Sequence, residues 1–307
     1  MSRRLIIGYN GGGNSQDALA LGGALATALA GEPLVASIVP SLDHLIPPAE
    51  QQQMRRTEAE RIGDAARAGL GGLEVEVRVL ADDSPARALD RLIETEQPLG
   101  LVVGSGHRGA IGRVFLGDVG TSLLSGAACA VAVAPGGYAE RAHGRLLRIA
   151  VAVNESEESR AAMRTAVALA ERLNASLTVL TVASPLRYGY VVPFSVVDTG
   201  LLADATRERF ERILDRALER VPARIPVQRR LLTGDPAASI AAATGDHDLL
   251  IVGARGYGPL RRALLGSVSA RLARTAGCPL FVLPRQGADD PRRRGELQAV
   301  ARSTPLV

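Results

Sequence analysis

"DLLIVGARGYGPLRRALLGS" occupies residues 248–267. It starts as an apolar run, breaks at Gly253 and ends on Gly266 and Ser267; three of its four glycines, with the serine, fit the pattern G-x2-G-x9-G-S. The segment reads as a strand, a glycine-bearing loop and a helix start. Gly253 lets the chain leave the strand tightly, and Gly256 removes a Cβ where backbone has to approach a ligand. Gly266 and Ser267 put free N–H groups and a hydroxyl at a helix N-terminus, which suits an anion by geometry and by dipole. Arg261 and Arg262 lie within the loop and are placed to reach phosphates. A surface loop would need no ligand, but the strand before and the helix after favour phosphate binding. The stretch lacks G-K-[ST], so it is not a Walker A loop.

The surroundings alternate between strand and helix. "RIAVAV" (148–153) and "LTVLTV" (177–182) are continuous apolar runs, as expected of strands covered on both faces. Ser156 is placed to cap the next helix, with Glu157 and Glu158 at its positive end. Ala162, Ala166, Leu169 and Leu173 recur at helical spacing, and Phe210, Leu214, Ala217 and Val221 mark a second amphipathic helix. "IPVQRRLL" (225–232), a helix from Pro236, the opening stretch, a helix from Ser267 and "LFVLP" (280–284) complete the unit. The order predicts a doubly wound, Rossmann-like parallel sheet with helices on both faces.

The unit occurs twice. "LIIGYN" (5–10) matches "IAVAVN" (149–154), Ser15 and Ala18 match Ser159 and Ala162, "DSPARAL" (83–89) matches "GDPAASI" (234–240), and "CAVAVAP" (129–135) matches "CPLFVLP" (278–284). The offset stays between 144 and 151, which indicates duplication of a whole domain. We expect a first domain over 1–135, a linker over 136–146, a second domain over 147–285 and a disordered tail over 286–307, where large apolar residues are few. A length of 307 residues fits about two domains of roughly 150 each.

Composition excludes more than it assigns. All 36 basic residues are arginine, and the net charge is +4. That permits anionic ligands without demanding nucleic acid. At 3% aromatic residues there is no stacking platform for single strands. "RRR" (292–294) reads as part of a solvated tail. Cys129 and Cys278 stand far apart and read as small buried hydrophobes rather than metal ligands or a disulfide. His44, His107, His143 and His247 share no metal or catalytic spacing. Asp82 and Asp83 read as the turn and cap before Pro85, and "GGG" (11–13) as a turn into a helix. The start "SRRLIIG" has a paired arginine, but "YNGGGNSQD" (9–17) interrupts any apolar export region. No run of 18 apolar residues occurs. We expect a cytoplasmic protein with no membrane or nucleic-acid partner.

The glycine motif, "VNESEESRAA" (153–162), the "GDP" turn (234–236) and "CPLFVLP" together resemble a tandem universal stress protein over about 5–135 and 147–284. The resemblance implies a five-stranded sheet ordered 3-2-1-4-5 in each half. It also implies pairing of the strand-five edges, here between the two halves as a pseudo-dimer within one chain, with a homodimer through another surface as an option. One subclass of the family binds ATP. Carried over by position, Val182 resembles a backbone contact in the adenine pocket, Gly253 the residue near the ribose, and Gly256, Gly266, Ser267 and Val268 the phosphate cradle. Asn154, like Asn10 in the first half, stands where the family usually has aspartate. It keeps hydrogen-bonding capacity without the charge. The first half retains Val39, Gly104 and Gly117 but has His107 in place of Gly256 and Asp118 in place of Ser267, and reads as a decayed or rebuilt site.

The expected function is therefore an ATP-binding stress-response regulator, with nucleotide in the second domain, Mg²⁺ as a possible bridging cation, and a protein partner that the sequence does not name. A slow ATPase or phosphotransferase, or a nucleotide-free interaction module, are the alternatives. No convincing catalytic base stands out.

Overall fold

The apolar runs become strands sandwiched between helices. The computed structural model describes residues 2–41, 45–106, 118–141, 145–184, 199–254 and 266–284. The first half runs β1 (Arg4–Tyr9), α1 (Gly13–Leu29), β2 (Glu32–Val39), α2 (Pro48–Gly69), β3 (Glu76–Ala81), α3 (Pro85–Glu96), β4 (Gly100–Gly104), α4 (Asp118–Gly126) and β5 (Ala130–Ala134). A short α5 (Tyr138–Arg141) follows. The second half repeats the order with β6 (Arg148–Ala152), α6 (Glu157–Leu173), β7 (Ser176–Ala183), α7 (Thr199–Leu218), β8 (Val227–Thr233), α8 (Pro236–Ala243), β9 (Leu249–Gly253), α9 (Ser267–Thr275) and β10 (Leu280–Leu283). The expected tail over 286–307 lies outside the described residues, as do His44, His107, Gly117, His143, Gly256, Arg261 and Arg262.

Each half has its strands parallel in the order 3-2-1-4-5, and the two sheets join into one ten-stranded sheet, β3-β2-β1-β4-β5-β10-β9-β6-β7-β8. The join is antiparallel, with Leu280 opposite Val133, Phe281 opposite Ala132 and Val282 opposite Val131. The pseudo-dimer read from the strand-five edges is thus present within one chain. Pairing removes two apolar edges that would otherwise invite other strands.

Side-chain alternation divides the core into two layers. Ala132, Ala134, Phe281 and Leu283 face the layer built with α1, α2, α6 and α7, whereas Val131, Val133, Leu280 and Val282 face the layer with α3, α4, α8 and α9. Phe281 is fully buried, and the small Ala132 opposite leaves room for its ring. The segment read as a linker carries α5, whose Tyr138 is buried in the first layer. Asp17 of α1 fixes this turn, accepting from the N–H groups of Gly137 at 2.9 Å and Ala139 at 2.8 Å. Burial pushes the Tyr138 phenol up to about 12. Cys129 and Cys278 are buried, and burial raises the Cys278 thiol to about 12.

Two local readings change in detail. The helical pattern that included Val221 stops earlier, at Leu218, because Pro222 disfavours helical backbone at the residue before it. Val221 still packs on the core. The cap of α3 is Ser84, not Asp83: its hydroxyl accepts from Arg87 N–H at 3.4 Å. Asp83 accepts from Ser41 N–H at 3.2 Å.

Asp82 has a different task. Its carboxylate accepts from Ser84 N–H at 2.8 Å and from Arg87 at 2.6 Å, and it also pairs with Arg91. The Arg87 guanidinium, then the Ser84 N–H, hold the carboxyl down from 3.8 to about 2. A depressed carboxyl stabilises the fold above its unfolded-state value and loses that contribution as pH falls through the folded one. We therefore expect Asp82→Asn to lower the urea midpoint at pH 7 and the gap from wild type to close between about pH 4 and pH 2. A gap independent of pH in that window would mean the clamp does not act through ionisation.

Candidate functional site

The carboxyl ends of β6, β7 and β9 converge beside the N-terminus of α9, where the winding of the sheet reverses direction. Asn154 stands two residues beyond the end of β6. Its N–H donates to Ser159 Oγ at 2.8 Å, and its Oδ1 accepts from Ser156 N–H at 2.8 Å. Ser156 caps α6 as expected, accepting from Ser159 N–H at 3.2 Å. A backbone donor identifies Oδ1 as the oxygen, so the Asn154 amide nitrogen is the free branch. It has no partner among the described residues. The first half repeats the turn: Asn10 N–H donates to Ser15 Oγ at 2.9 Å, and Asn10 Oδ1 accepts from Gly12 N–H at 3.1 Å. Asparagine thus does the turn work a carboxylate oxygen would do, and offers a donor instead of a second acceptor.

Gly253, the last residue of β9, is small for a reason the sequence did not disclose. A Cβ there would stand 2.6 Å from the Glu158 carbonyl carbon and 2.7 Å from Glu158 Cβ. The first turn of α6 rests directly on this position. Gly104 repeats the arrangement, with Asn14 O at 2.0 Å from a Cβ added there. Both glycines let a helix start pack against the strand ends.

Helix α9 opens at Gly266, whose backbone is extended at φ −63° and ψ 150° and which supplies no capping side chain. The Gly266 carbonyl accepts from Ala270 N–H at 2.9 Å and from Ser269 Oγ at 3.0 Å. The first turn holds no acidic side chain. The N–H groups of Ser267 and Val268 have no partner among the described residues, so the positive end of α9 is left to solvent or a ligand. Nearby, Asp235 caps α8, accepting from Ala238 N–H at 2.9 Å, and pairs with Arg271 of α9 at 2.6 Å. The Arg271 guanidinium lowers the Asp235 carboxyl and neutralises it beside the site.

These groups line one open cleft of about 180 Å³. Asn154, Val182, Gly253, Gly266, Ser267 and Val268 all face it, which brings together six of the seven site residues read from the sequence. The seventh, Gly256, lies outside the described residues. The described lining carries no charged side chain. Its apolar lining includes Val182 and Ile240 from one layer and Phe210 from the other, and its polar lining includes Asn154, Ser156, Ser159 and Ser267. Phe210 and Thr181 were not singled out as lining residues. Thr181 hides within a strand run, and its hydroxyl donates to Val153 O at 2.7 Å, tying β7 to β6.

In the first half, Val39 and Gly104 end β2 and β4, and α4 begins at Asp118. His107 and Gly117 lie outside the described residues.

The same architecture recurs among known proteins. The family model described as "Universal stress protein family" matches twice, over residues 1–135 and 146–284. The chain belongs to the universal stress protein family. A curated universal stress protein of Mycolicibacterium smegmatis is 30% identical over 239 residues, covering 76% of this chain and 74% of the relative. Universal stress protein Rv2005c of Mycobacterium tuberculosis is 30% identical over 182 residues, 59% of this chain and 60% of its own length. Among solved structures, a universal stress protein from Archaeoglobus fulgidus aligns over 93% of this chain and 100% of its own, with TM-score 0.66 at 20% identity. A universal stress protein from Pseudomonas aeruginosa covers 98% of this chain and 96% of its own, with TM-score 0.65 at 14% identity. At these identities the structural likeness speaks for the fold of a tandem universal stress protein. Among the described residues no helix is long and apolar enough to cross a membrane.

Proposed function

We propose that this tandem universal stress protein is an ATP-dependent regulator, with the nucleotide held by its second half. The observation that carries the proposal is the unblocked N-terminus of α9, which shares a cleft with the free amide of Asn154 and with apolar side chains. The phosphates would lie on the N–H groups after Gly266, with the Ser267 hydroxyl as a further donor. The adenine would lie against Val182, Phe210 and Ile240, and the ribose near Gly253 and Asn154. With no carboxylate among the described lining residues, Mg²⁺ would arrive bound to the triphosphate rather than be held by side chains. Gly256 would complete the phosphate cradle.

The nucleotide would set the conformation of a surface that a protein partner reads, in the cytoplasm. The units serving this role are a domain over 1–135, a linker over 136–146, a nucleotide-holding domain over 147–285 and a tail from 286. The described lining residues offer no base to activate a water, which favours a binding role over hydrolysis.

Denaturing freshly purified protein and chromatographing the supernatant tests the proposal. Adenine nucleotide at close to one equivalent per chain supports it; nucleotide-free protein that also ignores added ATP in a titration overturns it. Ser267→Ala should weaken ATP by about 0.5–1.5 kcal/mol, a few-fold to about tenfold, since the backbone donor remains. A loss above about a hundredfold would mean that the hydroxyl, not the helix N-terminus, carries the affinity.

A further inference from the structure

A second cleft opens on the other side of the β6–α6 turn, between α6 and α7. Its space is about 400 Å³, within the range of small-molecule sites. Met163, Ile213 and Ala217 form an apolar wall, and Arg160, Arg216 and Arg220 reach it from the two helices. Arg164 adjoins them. The arginines come in pairs one helical turn apart, Arg160 and Arg164 on α6, Arg216 and Arg220 on α7, so each pair shares a helix face.

The local charge does not balance. Arg160 pairs with Glu157 at 2.6 Å, and Glu155, which also lines the cleft, pairs with Arg209 and attracts Arg216 at longer range. Arg164, Arg216 and Arg220 have no carboxylate within salt-bridge distance among the described residues. Arg164 is half-buried. Burial pushes its guanidinium down; Glu157 partly opposes this, while Arg220 and Arg160 push the same way. Like charges one turn apart destabilise a helix surface, and a half-buried cation without a partner adds to that cost. A dianion placed among the guanidinium groups would relieve both. The repeat sharpens the contrast: Ser15 corresponds to Ser159, so Gln16 and Ala20 stand in the first half where Arg160 and Arg164 stand in the second.

We propose that the α6–α7 cleft, which meets the nucleotide cleft at Val153, Asn154 and Ser159 but has its own arginines and apolar wall, is a second ligand site for a small phosphomonoester with an apolar body. Guanidinium forks match phosphate oxygens in pairs, and three arginines outnumbering the carboxylates near them suit a dianionic phosphate better than a single carboxylate. The apolar wall takes the rest of the molecule.

The test is calorimetric titration of the full chain with 1-naphthyl phosphate, and with 1-naphthol as the uncharged control. Four proteins are compared: wild type, Arg164→Gln/Arg220→Gln, Arg216→Gln/Arg220→Gln and Gly266→Asp. The second double variant alters only exposed side chains, so it keeps the test open if the first fails to fold. We expect saturable binding to wild type and to Gly266→Asp alike, at least about tenfold weaker binding in either arginine variant, and none of 1-naphthol. No binding to wild type, equal binding to the arginine variants, or loss of binding in Gly266→Asp with the arginine variants unaffected would each overturn the assignment.

Discussion

Gly266→Asp is expected to weaken ATP by at least about a hundredfold while leaving the protein as stable as wild type or slightly more so. The backbone at Gly266 is extended with negative φ, a conformation open to any L-residue, and it occupies the N-cap of α9. Aspartate is among the best N-cap residues, with a typical effect of about 1 kcal/mol over a non-capping side chain. Its carboxylate would satisfy the N–H groups that the phosphates would otherwise use. It would also set a negative charge where the triphosphate should lie. One like-charge pair at about 4 Å costs about 4 kcal/mol at an effective dielectric of about 20. A bridging Mg²⁺ can reverse that sign, so affinities should be measured with excess Mg²⁺ and again with EDTA. An unchanged affinity in both conditions would place the phosphates elsewhere.

Phe281→Ala should destabilise the chain by about 3–5 kcal/mol, a range set by lost burial plus the cavity left behind. The ring is fully buried on the strand that joins the halves, opposite Ala132, whose methyl group cannot fill the gap. Because β5 and β10 hold the two sheets together, the loss should fall on the junction as well as on the second half. Amide exchange should accelerate in both strands, not in β10 alone. Destabilisation below about 1 kcal/mol, or exchange confined to β10, would mean that the halves are joined chiefly by the docked α5 or by α1 and α6, which also touch across the junction.

Much of this fold is legible in the sequence because its signals are local. Continuous apolar runs mark strands covered on both faces, Ser156 marks a helix start, and the repetition of the whole series marks the duplication. The strand order within each half and the junction of β5 with β10 came from family resemblance, since nothing local encodes which strands become neighbours. The glycine motif pointed to the right end of the sheet, but not to the reason for Gly253. That reason is the backbone of Glu158, nearly a hundred residues earlier, packed where a Cβ would go. Phe210 read only as one position of an amphipathic stripe, because its place in the cleft lining depends on where α7 lies over β7. The α6–α7 arginines were invisible for the same reason: each pair looks like an ordinary solvated helix face until the two helices are set side by side. Ser84 displaced Asp83 as the cap because Asp82 and its two arginines hold the turn one residue later than the sequence suggests.

The halves are not expected to be equivalent. Helix α4 begins at Asp118 where α9 begins at Ser267, and His107 stands where Gly256 does. An acidic residue at the helix start opposes phosphate, and at most about 2 kcal/mol of helix dipole offsets it. Isothermal titration of ATP into nucleotide-free full-length protein tests this account most directly. The prediction is one strong site per chain, abolished by Gly266→Asp, with a second site appearing in His107→Gly/Asp118→Ser. Two equal sites in the unmodified chain, or one strong site that survives Gly266→Asp, would contradict it.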